Sequence, residues 1–408
     1  MTFNILSLDG GGTFCAVQAC ALQHLFPGQS GHQVLGLFDL VAGTSGGSFV
    51  AAALAANVSP DKLVQLFHER KNRERFFRRL PWYRRLADIL SAHHLGPRFD
   101  SRSKQVFIGE ATGAMGQRAL CDLWTDSPNG ARRPHFMIVS YDYQFDKAQV
   151  FRSNWNSQAA SFPRAPLRLK LHDAVHASTH APVRWFGGVA KPTEGDHFGY
   201  WDGAMTGFNN PVLLAVTEAI AAGIPRDQIR VLSIGTACTQ LLPADTDAAT
   251  ELRVESPTPC LVRDLGKTAK TIIAEPPDID TYLAHLCLSA VVPEREGQCV
   301  ESPIVRLNPV IHPRLVTGKW TAPKGFTLTE FKALVNLDIS ATADSDVELI
   351  DRLCANWVTG DSHNQAVRRR HDYFTPDPST RAWNQGGCCE IGDLYFSQAI
   401  QRWREISV

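Results

Sequence analysis

The residues with the most suggestive chemistry are a serine and the glycines around it. Residues 43–47 read Gly-Thr-Ser-Gly-Gly and stand between a predicted apolar strand and a predicted alanine-rich helix. Glycines two residues before and after Ser45 let the chain turn sharply, so that the hydroxyl is exposed at the N-terminus of the helix. The pattern predicts a nucleophilic serine. A glycine-rich turn without chemistry is the alternative, because such turns recur in α/β proteins.

A second glycine-rich segment follows the first predicted strand. An aspartate precedes three glycines there, Gly10, Gly11 and Gly12, whose N–H groups no side chain covers. Such a loop at a helix N-terminus can hold a phosphate or the oxyanion of a tetrahedral intermediate. The segment contains neither a G-x-G-x-x-G pattern nor a Lys followed by Ser or Thr, which argues against a phosphate site. Beside a nucleophilic serine, we interpret the loop as an oxyanion hole.

A nucleophilic serine needs a base that accepts its proton. The chain has 14 histidines, and none of them stands in an informative context. Asp202, in a Trp-Asp-Gly-Ala run, is a better candidate, although an Asp before a Gly is also a common turn. His172, His176 and His180 have the spacing of one helix face, but a proline follows closely and no carboxylate has ligand spacing. No metal site is therefore predicted.

Together, these segments resemble the patatin-like phospholipases. The order Asp-Gly-Gly-Gly, Gly-x-Ser-x-Gly and Asp-Gly-Ala is that of the family. Residues 174–182, the Asn-Asn-Pro run at 209–211 and the Ser-Ile-Gly-Thr run at 233–236 are similar as well. The likeness extends from residue 3 to about residue 240.

The resemblance implies a catalytic dyad, with Ser45 as the nucleophile and Asp202 as the base. It also implies that the glycine loop supplies the oxyanion donors, which are Gly10, Gly11 and Gly12. One departure is clear: the family usually reads Gly-Gly-Gly-x-Arg-Gly, whereas this chain has Phe14 and Cys15 at the last two positions. Main-chain donors do not depend on those side chains, but the shape of the loop and any substrate contact of the arginine do.

Composition and charge exclude several classes of protein. The 408 residues include 41 basic and 41 acidic ones, so no overall field attracts a nucleic-acid polymer. No run of 18 apolar residues occurs, and the apolar stretch at residues 5–8 is too short for a signal peptide. Ten scattered cysteines without a C-x-x-C pair are typical of reduced cytosolic thiols. We expect a cytoplasmic protein with peripheral membrane association.

Strands and helices alternate along the first 240 residues. Continuous apolar runs predict buried strands, and the segments between them predict helices, as in a parallel sheet that is covered on both faces. The expected fold is a three-layer α/β/α sandwich with a mostly parallel sheet. The predicted strands are 2–8, 37–42, 136–141 and 230–234, and the predicted helices are 13–26, the segment after Ser45 to about 56, 171–178 and 211–222.

The proline content and the hydrophobic periodicity of the sequence change near residue 240. Residues 240–330 are rich in proline and show no sustained period, whereas 327–358 and 392–404 are predicted to be helical. We expect a catalytic domain at 1–240 and a C-terminal extension at 241–408 that packs on it, with regulation as one role for the extension.

Residues 70–85 form a basic and aromatic segment. Eight Arg or Lys residues stand there against one acid, Glu74, and are interleaved with five large apolar residues. Such a segment could lie on an anionic membrane, cover an acyl pocket or bind a phosphorylated regulator. A solvated helix with one packed face is an equally good interpretation.

The resemblance implies hydrolysis of the acyl esters of membrane phospholipids through an acyl-serine, without a cofactor. It further suggests a cyclic nucleotide as activator, a role in anti-phage defence and a homo-oligomer, as in some bacterial relatives with long tails. Two alternatives stay open. One is an acyltransferase or thioesterase that acts on a soluble acyl carrier, and the other is a catalytically idle binding protein of the same fold.

Overall fold

The fold is built around one mixed sheet. The computed structural model describes residues 2–90, 97–124, 133–153, 169–182, 184–193, 199–239, 276–288, 299–316, 319–367 and 390–407. The sheet has seven strands, which are β1 Phe3–Leu8, β2 Leu40–Thr44, β3 His135–Asp142, β4 Lys147–Arg152, β5 Tyr200–Asp202, β6 Ile229–Ile234 and β9 Ile304–Leu307.

Five of these strands are parallel, in the order β3, β2, β1, β6 and β9. β4 and β5 both pair antiparallel with β3. The remaining strands form three two-stranded sheets and are β7 Cys238–Thr239, β8 Cys299–Val300, β10 Val310–Ile311, β11 Arg314–Val316, β12 Lys319–Thr321 and β13 Glu390–Ile391.

Helices surround the sheet. The helices of the first 240 residues are α1 Ala16–Leu25, α2 Gly31–Leu35, α3 Gly46–Ala55, α4 Pro60–His68, α5 Arg70–Phe76, α6 Trp82–Leu90, α7 Ser101–Gly116, α8 Leu171–Ser178 and α9 Val212–Ala221. Later in the chain come α10 Pro276–Leu288, α11 Leu328–Val335, α12 Asp344–Thr359 and α13 Phe396–Ile406.

Both faces of the sheet are buried. Along β1, Leu6 and Leu8 contribute to a core that includes α1, α3 and α8, whereas Ile5 contributes to a second core. The second core includes Val212 of α9 and Ala284 of α10. Because successive side chains of a strand point to opposite faces, these two cores lie on the two sides of the sheet. The predicted three-layer α/β/α sandwich with a mostly parallel sheet is confirmed.

Most predicted elements occur close to their predicted bounds, with three corrections in the described residues. The last helix begins at Phe396 rather than at about residue 392. The second strand begins at Leu40 rather than Leu37, which is 41% exposed in the turn that follows α2. The helix predicted over 327–358 is two helices, α11 and α12. Between them, the Asp338 carboxylate accepts bonds from Ser340 N and Oγ at 2.9 and 2.6 Å, which favours a turn over a helix.

The segment after residue 240 takes part in the same sheet. β9 extends the parallel sheet beyond β6, and α10 packs against α9. Neither element was predicted from the proline-rich sequence there. Residues 240–275, 289–298 and 368–389 lie outside the described residues. The division into two domains near residue 240 stays a prediction.

Candidate active site

Ser45 lies in a strained turn between β2 and α3. Its φ of 50° and ψ of −125° are rare for a residue with a side chain. The glycines on both sides make the turn possible: a Cβ atom at Gly47 would lie 2.3 Å from the Leu8 carbonyl oxygen, and one at Gly43 would lie 2.8 Å from Ser48 Cα. The turn places Ser45 at the N-terminus of α3.

Ser45 and Asp202 meet across the sheet. Asp202 ends β5, and the Ser45 Oγ donates a hydrogen bond of 2.8 Å to Asp202 Oδ2. The other carboxylate oxygen accepts from Ala204 N at 2.9 Å, and Asp202 N donates to the His180 carbonyl at 3.0 Å. The carboxylate is therefore held on both oxygens and through its main chain.

The environment of Asp202 makes it a stronger base. Asp202 is buried, and burial raises the pKa of its carboxyl to about 6, although hydrogen bonds from Ala204 and Ser45 act in the opposite direction. A higher pKa increases the tendency of the carboxylate to take a proton from a hydroxyl. In contrast, burial lowers the pKa of the nearby His180 well below its usual range.

Ser178, which the sequence analysis did not single out, fixes the main chain of the nucleophile. Ser178 Oγ accepts from Ser45 N at 2.8 Å and donates to the Val139 carbonyl at 2.5 Å. This hydroxyl ties the turn to β3 through the last residue of α8. The only sequence signal was its position inside the 174–182 stretch that is similar to the family.

The glycine loop packs directly against the nucleophile. A Cβ atom at Gly10 would lie 2.9 Å from Ser45 Cβ, so only glycine fits there. Gly10 is held on both sides of its main chain, since its N–H donates to the Asn209 carbonyl at 2.9 Å and its carbonyl accepts from Thr236 Oγ1 at 2.8 Å. The bond to Asn209 thus occupies the Gly10 N–H in this structure. The role of Gly10 as an oxyanion donor stays a prediction.

The main-chain N–H groups of Gly11 and Gly12 are the remaining candidate oxyanion donors of the loop. Within the described part of the chain, neither of their N–H groups donates to a main-chain oxygen. Gly12 has a φ of 56°, and its nitrogen would lie 3.1 Å from a Cβ atom at Gly46, the residue that follows the nucleophile. The Gly11 N–H is directed at the sulfur of Cys15, which is a weak acceptor.

Cys15 fills the place of the missing fourth glycine. A Cβ atom at Gly46 would lie 2.4 Å from Cys15 Sγ, so the thiol occupies the space beside the turn of the nucleophile. Burial raises the pKa of this thiol well above its usual range, and the charges of Asp9 and Asp202 add to the effect. A neutral thiol places no negative charge next to a developing oxyanion.

A buried ion pair lies beneath the glycine loop. Arg306 on β9 donates to both carboxylate oxygens of Asp9, at 2.9 and 2.6 Å, and to Ser233 Oγ at 2.8 Å. Both side chains are almost fully buried. The sequence analysis missed Arg306, although a single charge in the apolar run Ile-Val-Arg-Leu was a signal that a buried partner exists.

A mostly apolar pocket lies over the Ser-Asp pair. Ser45, Asp202 and Gly12 form its polar end, and Thr13 and Asn72 add polar groups to the wall. Aromatic rings line most of the remainder, and they belong to Phe49, Phe67, Phe76, Phe77, Phe107 and Phe186. The aromatic lining suits a hydrocarbon chain.

The basic segment forms part of this pocket. Phe76 and Phe77 point into it, and Arg73 is buried, where it donates to the Phe67 and Thr342 carbonyls. In contrast, Trp82 and Tyr83 at the start of α6 are 74% and 58% exposed. One face of the segment walls the pocket while the other faces solvent.

The three spaced histidines do not meet around one point. His172 Nδ1 contacts the Gly116 carbonyl at 2.8 Å, and its Nε2 contacts the Asp173 carboxylate at 3.3 Å. The rings of His176 and His180 pack against each other. Among the residues that the structure describes, no three His, Cys, Asp or Glu side chains gather as metal ligands.

The helices of the described segments are too short or too polar for a membrane crossing.

Two curated proteins are similar to this chain over somewhat more than half of its length. A cGAMP-activated phospholipase of Pseudomonas aeruginosa is 28% identical over 238 residues, which are 58% of this chain and 62% of that protein. The CotR protein of Bacillus subtilis is 26% identical over 243 residues, or 57% and 62% of the two chains. The chain thus matches less than two thirds of the length of either relative.

Among solved structures, VipD from Legionella pneumophila covers 87% of this chain and 67% of its own, with a TM-score of 0.36 and 11% identity. A family model described as patatin-like phospholipase matches residues 6–216, which is just over half of the chain and includes both Ser45 and Asp202. The chain therefore belongs to the patatin-like phospholipase family.

Proposed function

We propose that the protein hydrolyses acyl esters of membrane phospholipids with Ser45 as nucleophile and Asp202 as general base. The observation that carries the proposal is the 2.8 Å hydrogen bond between these two side chains at the polar end of an apolar pocket. The pocket accepts the acyl chain, and the Ser45 hydroxyl lies at the end where the ester carbonyl would be held. The cGAMP-activated phospholipase among its relatives supports the same substrate class.

In the first step, Ser45 Oγ attacks the ester carbonyl carbon while its proton passes to Asp202 Oδ2. The carbonyl oxygen becomes an oxyanion, which the N–H groups of Gly11 and Gly12 and the positive end of α3 stabilise. The C–O bond of the ester then breaks, and the departing lysolipid alkoxide takes the proton from Asp202. In the second step, a water molecule gives a proton to Asp202 and attacks the acyl-serine, which releases the fatty acid and restores the Ser45 hydroxyl.

The proposed reaction requires a positioned serine, an oriented carboxylate and an environment that excludes bulk water. Ser178 and the strained turn hold Ser45 in position for attack. Ala204 holds the carboxylate oxygen that does not take the proton. The aromatic wall keeps bulk water from the base, which sustains its raised pKa.

The test is fatty-acid release from mixed phospholipid liposomes by wild type, Ser45→Ala and Asp202→Asn. Each variant should lose at least about 10³-fold in kcat, and the double variant should be little worse, because the two residues act as a unit. A fluorophosphonate should label wild type at Ser45 alone. Thr217→Val, an exposed change on α9, is the matched control and should keep full activity. Near wild-type rates for Asp202→Asn would exclude the dyad.

The same assay separates the alternatives. Release of acyl groups from an acyl carrier but not from liposomes would identify a thioesterase or acyltransferase instead. Specific lipid binding without turnover, and without fluorophosphonate labelling, would identify a binding protein of this fold.

We further propose that a cyclic nucleotide activates the enzyme in an anti-phage response and that the active protein associates peripherally with a membrane. A relative named as a cGAMP-activated phospholipase supports the first part, and the exposed basic and aromatic face of α6 supports the second. Liposome hydrolysis should rise at least tenfold with cGAMP or another cyclic dinucleotide. A high rate that no cyclic nucleotide changes would exclude such control, while it would leave the Ser-Asp chemistry intact.

A further inference from the structure

One lysine is fully buried near the Ser-Asp pair, and the proposed reaction steps do not use it. Lys104 lies on α7. Its Nζ atom donates to the His176 carbonyl at 2.9 Å and to Thr179 Oγ1 at 3.1 Å. Both acceptors belong to the end of α8, which we define as residues 176–180. Burial of an amine is costly unless hydrogen bonds replace those with water, and these two contacts supply that replacement.

A histidine and an aromatic ring complete the surroundings of the amine. His180 Nδ1 lies 3.5 Å from Nζ, and the centroid of the Phe186 ring lies 4.4 Å from it. Burial lowers the pKa of Lys104 well below its usual range, while the charge of Asp202 acts in the opposite direction. The two shorter bonds need only two N–H groups, which the amine has in its charged and in its neutral form.

Lys104 completes the hydrogen bonding at the end of α8. The last carbonyls of a helix have no partner within the helix. The carbonyls of the residues before and after His176 accept main-chain N–H groups, whereas the His176 carbonyl accepts from Lys104. A lysine at a helix C-terminus also matches the negative end of the helix dipole. The amine therefore fixes the conformation in which the helix ends.

The same short segment holds both members of the Ser-Asp pair. Ser178 Oγ accepts from Ser45 N at 2.8 Å, and the His180 carbonyl accepts from Asp202 N at 3.0 Å. The main chains of the nucleophile and of the base are thus held by two residues that are two positions apart. A displacement of the end of α8 would move Ser45 and Asp202 relative to each other.

We propose that Lys104 is a positioning residue for the Ser-Asp reaction, which holds the end of α8 against Ser45 and Asp202. The inference rests on the proposed function. Lys104 is not among the described residues that line the pocket, so it acts through other residues and does not touch the substrate. Loss of its amine should therefore reduce kcat and leave KM close to the wild-type value.

The first test is the kinetics of Lys104→Met on a soluble short-chain ester. Methionine fills nearly the same space but has no N–H donor. We expect kcat to fall about 10- to 100-fold, since a displacement of about 1 Å can cost about 100-fold. Lys62→Met changes an exposed lysine on α4, serves as the matched control and should keep full activity. A wild-type kcat in Lys104→Met would overturn the proposal, because packing alone would then be sufficient.

The second test is the variant Ser178→Ala, which does not depend on whether Lys104→Met folds. It removes the acceptor of the Ser45 N–H and should also lower kcat without a change in KM. The double variant should lose less than the product of the two single losses, because both changes act through the end of α8. A wild-type kcat in Ser178→Ala, or losses that simply multiply, would overturn the proposal.

The third test is amide hydrogen exchange of the full-length chain, which needs no turnover. Exchange of the Ser45 and Asp202 N–H groups should become at least about tenfold faster in Lys104→Met, while the amides of β6 keep their protection. Unchanged exchange at both positions would overturn the proposal. If wild type hydrolyses no ester while these exchange rates change as expected, the proposed function fails and the positioning by Lys104 stands.

Discussion

At the scale of single residues, a carboxylate that activates a serine without a histidine must be a better base than an aspartate in water. Asp202 gains that property from burial, because a charge in an apolar environment is less stable than its neutral form. The hydrogen bond from Ala204 holds the carboxylate in place but also favours its charged form. The pKa of about 6 is the balance of these effects.

This balance predicts the pH dependence of the reaction. Asp202 must be ionised to accept the Ser45 proton, so kcat/KM should increase about tenfold per pH unit below pH 6 and level off above it. The measurement uses a soluble short-chain ester between pH 4 and 8, so that membrane charge does not enter. A plateau that extends down to pH 4 would show that Asp202 has an ordinary pKa and that burial does not tune it.

Sequence singled out the two side chains that the structure brings together, Ser45 and Asp202. Each of them lies in a short motif, which can be recognised from neighbouring residues alone. The Gly10 N–H donates to the carbonyl of Asn209. Because Asn209 is remote in sequence, no local pattern could predict this hydrogen bond. Ser178 is a common residue in an ordinary helix, and only its contact with Ser45 N gives it a role.

At the scale of elements, α5 and α6 connect the pocket with the protein surface. The segment contributes Phe76 and Phe77 to the pocket wall, and it exposes Arg78, Arg79 and Trp82 to solvent. Sequence predicted a basic amphipathic segment but left open which face packs. The structure shows that Phe76 at the end of α5 and Phe77 after it line the pocket, whereas Trp82 and Tyr83 of α6 are exposed.

Charge reversal tests whether this surface meets the membrane. Arg78→Glu with Arg79→Glu should reduce hydrolysis of anionic liposomes at least tenfold and leave a soluble ester within about twofold, since each basic residue near an anionic surface contributes about 1 kcal/mol. The matched control reverses two exposed arginines elsewhere, Arg226 and Arg404, and should change neither rate. Equal losses on both substrates would instead indicate a structural role for the segment.

At the scale of the whole molecule, the chain beyond residue 240 takes part in the central sheet and contacts the segment after the glycine loop. β9 contributes the outermost parallel strand, and the Ile339 carbonyl accepts the N–H of Thr13 next to the glycine loop at 2.8 Å. Sequence predicted that the extension packs on the first part. It could not predict these pairings, because strand order and buried ion pairs are set by contacts between residues that are far apart in the chain.

The buried Asp9–Arg306 ion pair allows the contribution of β9 to the glycine loop to be measured. Arg306→Met leaves the Asp9 charge buried without its partner, which should reduce the free energy of unfolding by about 3–5 kcal/mol and lower kcat through the displaced glycine loop. Adding Asp9→Asn removes the unpaired charge, so the double variant should be more stable than Arg306→Met alone.

The stability lost in Arg306→Met should also decrease as the pH falls, because an unpaired buried carboxyl has a raised pKa and becomes neutral. Urea unfolding of wild type, Arg306→Met, Asp9→Asn and the double variant at pH 5.5 and 8 measures all of these effects. Additive losses with no dependence on pH would show that the two charges do not interact and that β9 supports the sheet without holding the loop.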